Sequence, residues 1–215
     1  MDSKNWPCPL CYHSQSELLL SGKGRPYYEC NNCHLIYVPQ NWHLKIEEEK
    51  KRYETHQNHI LDQGYRNFLG QIIDFLNIES LQDLQVLDYG CGKDQALVKI
   101  LAERGVKVDA YDPLFRQIKL PALFQYQLIF CTEVAEHFCR PRQEFEFFQQ
   151  LLSLGGVIGL MTSIVPQDKI FENWYYIKDP THITFYTEQS LRWIGHHFNW
   201  SLDFKWPNLV QFKKR

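Results

Sequence analysis

Apolar positions change their spacing twice along the chain. Residues 1 to about 42 have little helical periodicity and are rich in Cys, Pro and aromatic side chains. Over residues 44–77, Tyr65, Phe68, Leu69, Ile72, Ile73 and Leu76 recur at intervals of three and four, the spacing of one helical face. From Leu84 onward short apolar runs alternate with helical ones, the pattern of a parallel sheet flanked by helices.

Within that last stretch "LQVLDYG" reads as a strand, "QALVKILAERG" as a helix closed by Gly105, and "VKVDAYD" as a second strand, which together make one βαβ unit. "YQLIFCTE" is a further strand. It leads into a helix over "RQEFEFFQQLLSLGG", whose Phe145, Phe148, Leu151 and Leu152 share a face, and then into the buried strand "VIGLMTS". Thr187 is a plausible N-cap for the helix in "TEQSLRWIGHHF", and "WSLDFKW" and "LVQFKKR" pair as an antiparallel edge hairpin. The expected organisation is an N-terminal module over residues 1–42, a helical lead-in over 43–82 and an α/β core over 83–215. Neither an internal repeat nor a low-complexity tract interrupts it.

Composition narrows the function classes. A chain of 215 residues with 44% hydrophobic content can bury a sizeable core. The net charge of −2 gives no general basic field, which weakens any mode of action based on neutralising many phosphates. The N-terminus "MDSKNWPCPLC" lacks a signal-like pattern, and no apolar run approaches the roughly 20 residues that span a bilayer, so a soluble cytoplasmic protein with no membrane partner is expected. Seven cysteines, four of them in two close pairs, suit metal binding in a reducing compartment better than a disulfide framework.

"CPLC" at 8–11 and "CNNC" at 30–33 give C-x2-C-x18-C-x2-C, a spacing expected of a four-thiolate zinc site at Cys8, Cys11, Cys30 and Cys33. Such a site leaves no open position, so zinc would fold a small module rather than activate water. His13 and His34 nearby are read as bystanders.

The turn "LDYGCGKDQ" after the first core strand lies where open α/β sheets bind ligands, and Gly90 and Gly92 allow close backbone approach. A dinucleotide fingerprint would have glycine where this chain has Gln95. Asp88 and Asp94 disfavour a diphosphate, since a carboxylate ~5 Å from a phosphate costs several kcal/mol at an effective dielectric near 20. The same acids favour a ligand carrying an ammonium and a sulfonium. Asp112, at the end of the second strand and about 20 residues past the turn, is where a ribose-binding acid is expected.

These residues, with "EVAEHF" and the late "DPTHITFYTEQSL", resemble a class I S-adenosylmethionine-dependent methyltransferase over roughly residues 53–215. The resemblance implies a Rossmann-like seven-stranded sheet. It implies that Asp88, Gly90 and Gly92 hold the methionine end, that Asp112 holds the ribose, that Arg66 grips the cofactor carboxylate, and that Glu133 lies near the methyl-transfer face. The family's usual third glycine is Asp94 here. The segment from Asp112 to Tyr126 is too short for a full strand, helix and acidic loop, so adenine is expected against apolar or aromatic neighbours such as Phe115.

Methyl transfer to an oxygen or nitrogen needs a positioned nucleophile and a group to take its proton. His182 is the first candidate, in a loop crowded with Phe171, Trp174, Tyr175, Tyr176, Phe185 and Tyr186 that reads either as a pocket wall or as core packing. His137 and Tyr175 join it as candidates. His56, Asn58 and Tyr53 fall on the lead-in helix, which in such folds lids the cofactor. The expected activity is methylation of a small-molecule or carrier-linked acceptor. Two alternatives stand beside it: an RNA methyltransferase whose ribbon reads RNA, and a non-catalytic binding protein that keeps the fold.

Overall fold

The computed structural model describes residues 6–22, 24–54, 61–121, 123, 125–167 and 171–215. Three short strands come first, β1 (Ser16–Gly22), β2 (Arg25–Cys30) and β3 (Ile36–Tyr37), followed by helices α1 (Ile46–Glu54) and α2 (Gln63–Leu76). The core then runs β4 (Val86–Tyr89), α3 (Ala96–Glu103), β5 (Val108–Tyr111), β6 (Tyr126–Thr132), α4 (Pro141–Leu151) and β7 (Leu152–Met161). It closes with β8 (Thr184–Phe185), α5 (Glu188–His197), β9 (Trp200–Lys205) and β10 (Leu209–Lys214). His56 and Asn58 lie outside the described residues.

The main sheet has the order β5-β4-β6-β7-β10-β9, with β4 parallel to both β5 and β6, β6 parallel to β7, and β10 antiparallel to both β7 and β9. The predicted C-terminal hairpin is therefore present, with β10 inside the sheet and β9 on its edge. The sheet has six strands among the described residues, not seven. After Asp112 the chain makes a tight local bridge to Arg116 instead of adding a strand beyond β5. Fifteen or so residues are too few for a right-handed crossover and its strand.

Alternation along the parallel strands separates two hydrophobic layers. Val86, Leu128 and Phe130 face α2 and α3, packing with Ile72, Leu97, Ile100 and Leu101. Leu87, Ile129 and Cys131 face the opposite layer, where Phe145, Phe148, Leu191 and Ile194 of α4 and α5 lie. Asp62 caps α2 by accepting from the backbone N–H of Gly64 and Tyr65, and Thr187 forms a reciprocal capping box with Ser190 at α5.

The N-terminal strands do not form an independent sheet. β3 pairs antiparallel with β8, so the small sheet β1-β2-β3-β8 ends on a strand contributed from the far end of the core. A third hydrophobic cluster fills the joint, with Tyr27, Ile36 and Val38 packed against Phe171, Trp174, Tyr176, Ile177 and Phe185. Arg25 clamps the same joint. Its guanidinium donates to the carbonyl oxygens of Pro180 (2.7 Å), Asp179 (2.9 Å) and Ile177 (3.2 Å), and to the Tyr27 hydroxyl (2.8 Å). Most of the loop aromatics are thus packing, and of those named from the sequence only Tyr175 and Tyr176 reach the cavity described below.

Replacing Arg25 by Ala removes these charge-assisted bonds and should destabilise the protein by about 2 kcal/mol. Hydrogen exchange should accelerate over residues 171–187 and not over β4 and β6.

Candidate functional site

The carboxyl ends of β4, β5 and β6 open into a cavity of about 1180 Å³, roofed by α1 and by the 175–182 loop. Gly90 and Gly92 turn the chain at its floor with φ of +83° and +63°. A Cβ at Gly90 would meet Val134 Cγ2 at 2.3 Å, whereas at Gly92 it would meet nothing within 4 Å and would face open space. Gly90 is thus required by the close approach of the next loop, and Gly92 by its backbone angle. Asp112 ties the turn down: one carboxylate oxygen accepts from Gly92 N–H at 3.0 Å, and the other from Leu114 and Phe115 N–H at 2.8 and 2.9 Å.

Asp88 is fully buried beside this turn, and its Oδ1 has no hydrogen-bond partner. Burial, with the Asp112 charge adding to it, raises its pKa to about 7. Glu133 adopts φ +55°, an uncommon backbone for a non-glycine residue, and its Oε1 is also buried without a partner. Its pKa is pushed well up by burial and then by neighbouring Glu136. Nine Asp and Glu side chains line the cavity against three Lys and Arg, so the whole space favours positive charge.

At the opposite end the loop after β6 meets the 175–182 loop. Glu136 is buried, its carboxylate accepting from the Tyr176 hydroxyl at 2.5 Å and the Thr162 hydroxyl at 2.9 Å. Its backbone carbonyl accepts from Ile183 N–H. His137 Nδ1 lies 3.0 Å from the Thr181 carbonyl and His182 Nδ1 lies 2.8 Å from the Tyr176 carbonyl. A carbonyl can only accept, so both rings carry their proton on Nδ1 and present Nε2 as the basic atom. The two rings meet at 4.9 Å, and burial lowers the His182 pKa, favouring the neutral form.

A family model described as a methyltransferase domain matches residues 58–203, about two thirds of the chain. The chain belongs to the methyltransferase domain family. Solved structures agree on the fold. An S-adenosylmethionine-dependent methyltransferase from Archaeoglobus fulgidus superposes with a TM-score of 0.53 at 14% identity, covering 69% of this chain and 94% of that one. An O-methyltransferase family protein from Burkholderia thailandensis gives 0.51 at 12% identity, covering 78% of this chain and 62% of that one. No curated protein matches the chain. It is an S-adenosylmethionine-dependent methyltransferase domain, and among its described residues no helix is long and apolar enough to cross a membrane.

In this methyltransferase the cavity gathers Asp88, Gly90, Gly92, Asp112, Glu133, His137, Tyr175 and His182 from the residues named on sequence grounds. Arg66 is not among them. It sits one helical step past Tyr65, which lines the cavity, and turns outward to an ion pair with Glu103 of α3. Adjacent helix positions diverge by approximately 100°, and here that turn carries Arg66 onto the side of α2 that faces α3. Glu136 and Tyr176 were missed as a site pair. The only signal was the apolar run around Tyr176, and nothing in the sequence says that its hydroxyl turns onto a glutamate 40 residues earlier.

The four ribbon cysteines also converge. Cys8 and Cys33 sulfurs stand 3.5 Å apart and Cys11 and Cys30 sulfurs 3.4 Å, and all four lie within 4.8 Å of one another. Thiolates about 2.3 Å from a central ion stand about 3.8 Å apart in a tetrahedron, so the donor set fits one. Tyr12 and His34 each follow a cysteine pair with φ near +60°, and each donates its N–H to the first cysteine's carbonyl, making two similar turns.

The raised pKa of Asp88 has a stability consequence. Between about pH 4 and 7 the folded chain holds a proton that the unfolded chain has released, so stability falls as pH rises through that window. Asp88→Asn should remove this part of the fall. Thermal unfolding at pH 5 and 8 should show the variant gaining on the parent by about 2–4 kcal/mol at the higher pH.

Proposed function

We propose that this methyltransferase acts on a small, neutral or cationic acceptor, with the cofactor at the glycine turn and the acceptor at the His137–His182 end of the cavity. The observation that carries this is the acid-lined cavity with its unpartnered Asp88 carboxylate. An RNA acceptor would bring phosphates against that lining, at a cost of several kcal/mol for each close approach. A carrier-linked metabolite remains within the reading, provided that the tethered end is not anionic inside the cavity.

S-adenosylmethionine supplies an activated methyl carbon on a sulfonium. In our reading Asp88 meets the cationic methionine end, Gly90 and Gly92 give backbone access, and Asp112 holds the turn while presenting the remaining lone pair of Oδ2 towards a ribose. Glu133 lies beside the transfer path, where a bound sulfonium would favour ionisation of a carboxyl that burial otherwise holds neutral. Phe115, below Lys50 of α1, offers an apolar face for adenine. An acceptor O–H or N–H at the far end faces His182 Nε2, with His137 beside it and Tyr175 at the rim, and the imidazole can accept its proton.

For the ribbon we propose zinc at Cys8, Cys11, Cys30 and Cys33, with a structural role. Its strands hold β8 and the 175–182 loop, so the metal supports the acceptor wall without touching the acceptor.

Titration calorimetry of the zinc-loaded protein should give micromolar S-adenosylmethionine binding, weakened at least tenfold in Asp88→Ala, and no binding of NAD. Affinity should rise by up to tenfold from pH 6 to 8 as Asp88 ionises, and Asp88→Asn should abolish that rise. Absence of S-adenosylmethionine binding would overturn the assignment of this cavity.

Chelation in the presence of a thiol-specific reporter should release one zinc per chain together with four reactive thiols from the ribbon. Hydrogen exchange over 171–187 should rise in step. Unchanged exchange there would refute the supporting role.

A further inference from the structure

Glu136, His137 and His182 have more in common than a place beside the acceptor. One potential ligand atom from each lies within 4.8 Å of the others, and the cluster is separate from the ribbon cysteines. Donors around an ion with bonds near 2.1 Å stand about 3.0–3.4 Å apart, so a contraction of about 1.8 Å at most completes a coordination set. The surrounding hydrogen bonds are those that metal ligands use. Each imidazole is oriented by an Nδ1–H bond to a backbone carbonyl, from His137 to Thr181 and from His182 to Tyr176. This fixes Nε2 as the coordinating nitrogen.

Glu136 completes the pattern. Each carboxylate oxygen accepts one hydroxyl, from Tyr176 or from Thr162, and each keeps a second lone pair. Among the described residues no Lys or Arg pairs with Glu136 or with Glu133, which lies three residues away with an unpartnered oxygen. Buried carboxylates are ordinarily paired or bound to metal. The framework is stiff at this point, since Ile183 N–H bonds the Glu136 carbonyl and the ribbon's Arg25 holds the loop at Ile177, Asp179 and Pro180.

We propose that Glu136, His137 and His182 bind a divalent cation at the acceptor end of the cavity. Two imidazoles and one carboxylate suit first-row transition ions such as Zn(II), Co(II), Fe(II) or Mn(II), and not Mg(II) or Ca(II), which take oxygen ligands. Three protein ligands leave positions open to the cavity, where an acceptor oxygen or nitrogen can coordinate. The inference rests on the acceptor lying at this end, as proposed above, and deepens that reading. With an ion bound, the Nε2 lone pairs are donated to it in place of a proton, and the ion's charge lowers the acceptor's own pKa so that its proton leaves to water.

The test uses protein with its ribbon filled by one zinc per chain, titrated with Co(II) and followed by visible absorption. A second equivalent should bind with weak ligand-field bands and no thiolate-to-cobalt charge transfer. His182→Gln and His137→Gln should each lose it, and Glu136→Gln should weaken it at least tenfold. A thermal melt of each variant identifies any that fail to fold, leaving the others to decide. A spectrum with thiolate charge transfer only, no second equivalent, or a second equivalent retained in a folded His182→Gln protein would overturn the site. Parallel titration of the parent protein with S-adenosylmethionine separates the two readings: cofactor binding without cobalt binding removes the cation site alone.

Discussion

Carboxylates held out of water at the carboxyl end of the parallel strands set the terms for everything around them. Asp88 ends the buried β4 and Glu133 follows β6, and each leaves an oxygen without a partner. Leaving such a group unsolvated costs more than an ordinary hydrogen bond returns, so the folded chain carries an electrostatic load that a cationic ligand relieves. The methyltransferase family uses a sulfonium cofactor, and the cavity's excess of acids over bases matches that charge. Asp112 is contrasting: its carboxylate is satisfied by three backbone N–H groups and so serves the turn's geometry as well as facing the cavity.

The second organising relation is between the N-terminal module and the loop that roofs the cavity. A module of about forty residues buries little by itself. Here its sheet is completed by β8, its apolar face is completed by Phe171, Trp174 and Phe185, and Arg25 ties its second strand to the loop carbonyls of Ile177, Asp179 and Pro180. The loop carrying Tyr176 and His182 is correspondingly ordered from outside the α/β core. The ribbon and this wall of the cavity are therefore physically connected, even though none of the four ribbon cysteines lines the cavity.

Local sequence rules were informative wherever one segment contains its own instructions. The 3.6-residue apolar period of α2, the glycine pair after β4, Thr187 at the head of α5 and the paired cysteines each act through neighbours a few residues away, so their structure could be read directly. Arg66 marks the limit of that reading. Spacing from the turn brought it near the cofactor, but α2 presents Tyr65 there and sends Arg66 to Glu103, because helix rotation relative to the sheet depends on packing across the whole layer.

By itself the sequence determined the fold class, the glycine turn with its acids, and the four-thiol cluster, since all three depend on periodicity or short fixed spacing. Only the tertiary structure decided the pairing of β8 with the N-terminal strands and the meeting of Glu136, Tyr176, His137 and His182. These depend on contacts between segments about 40 or more residues apart, and no local pattern encodes which side chains then face one another.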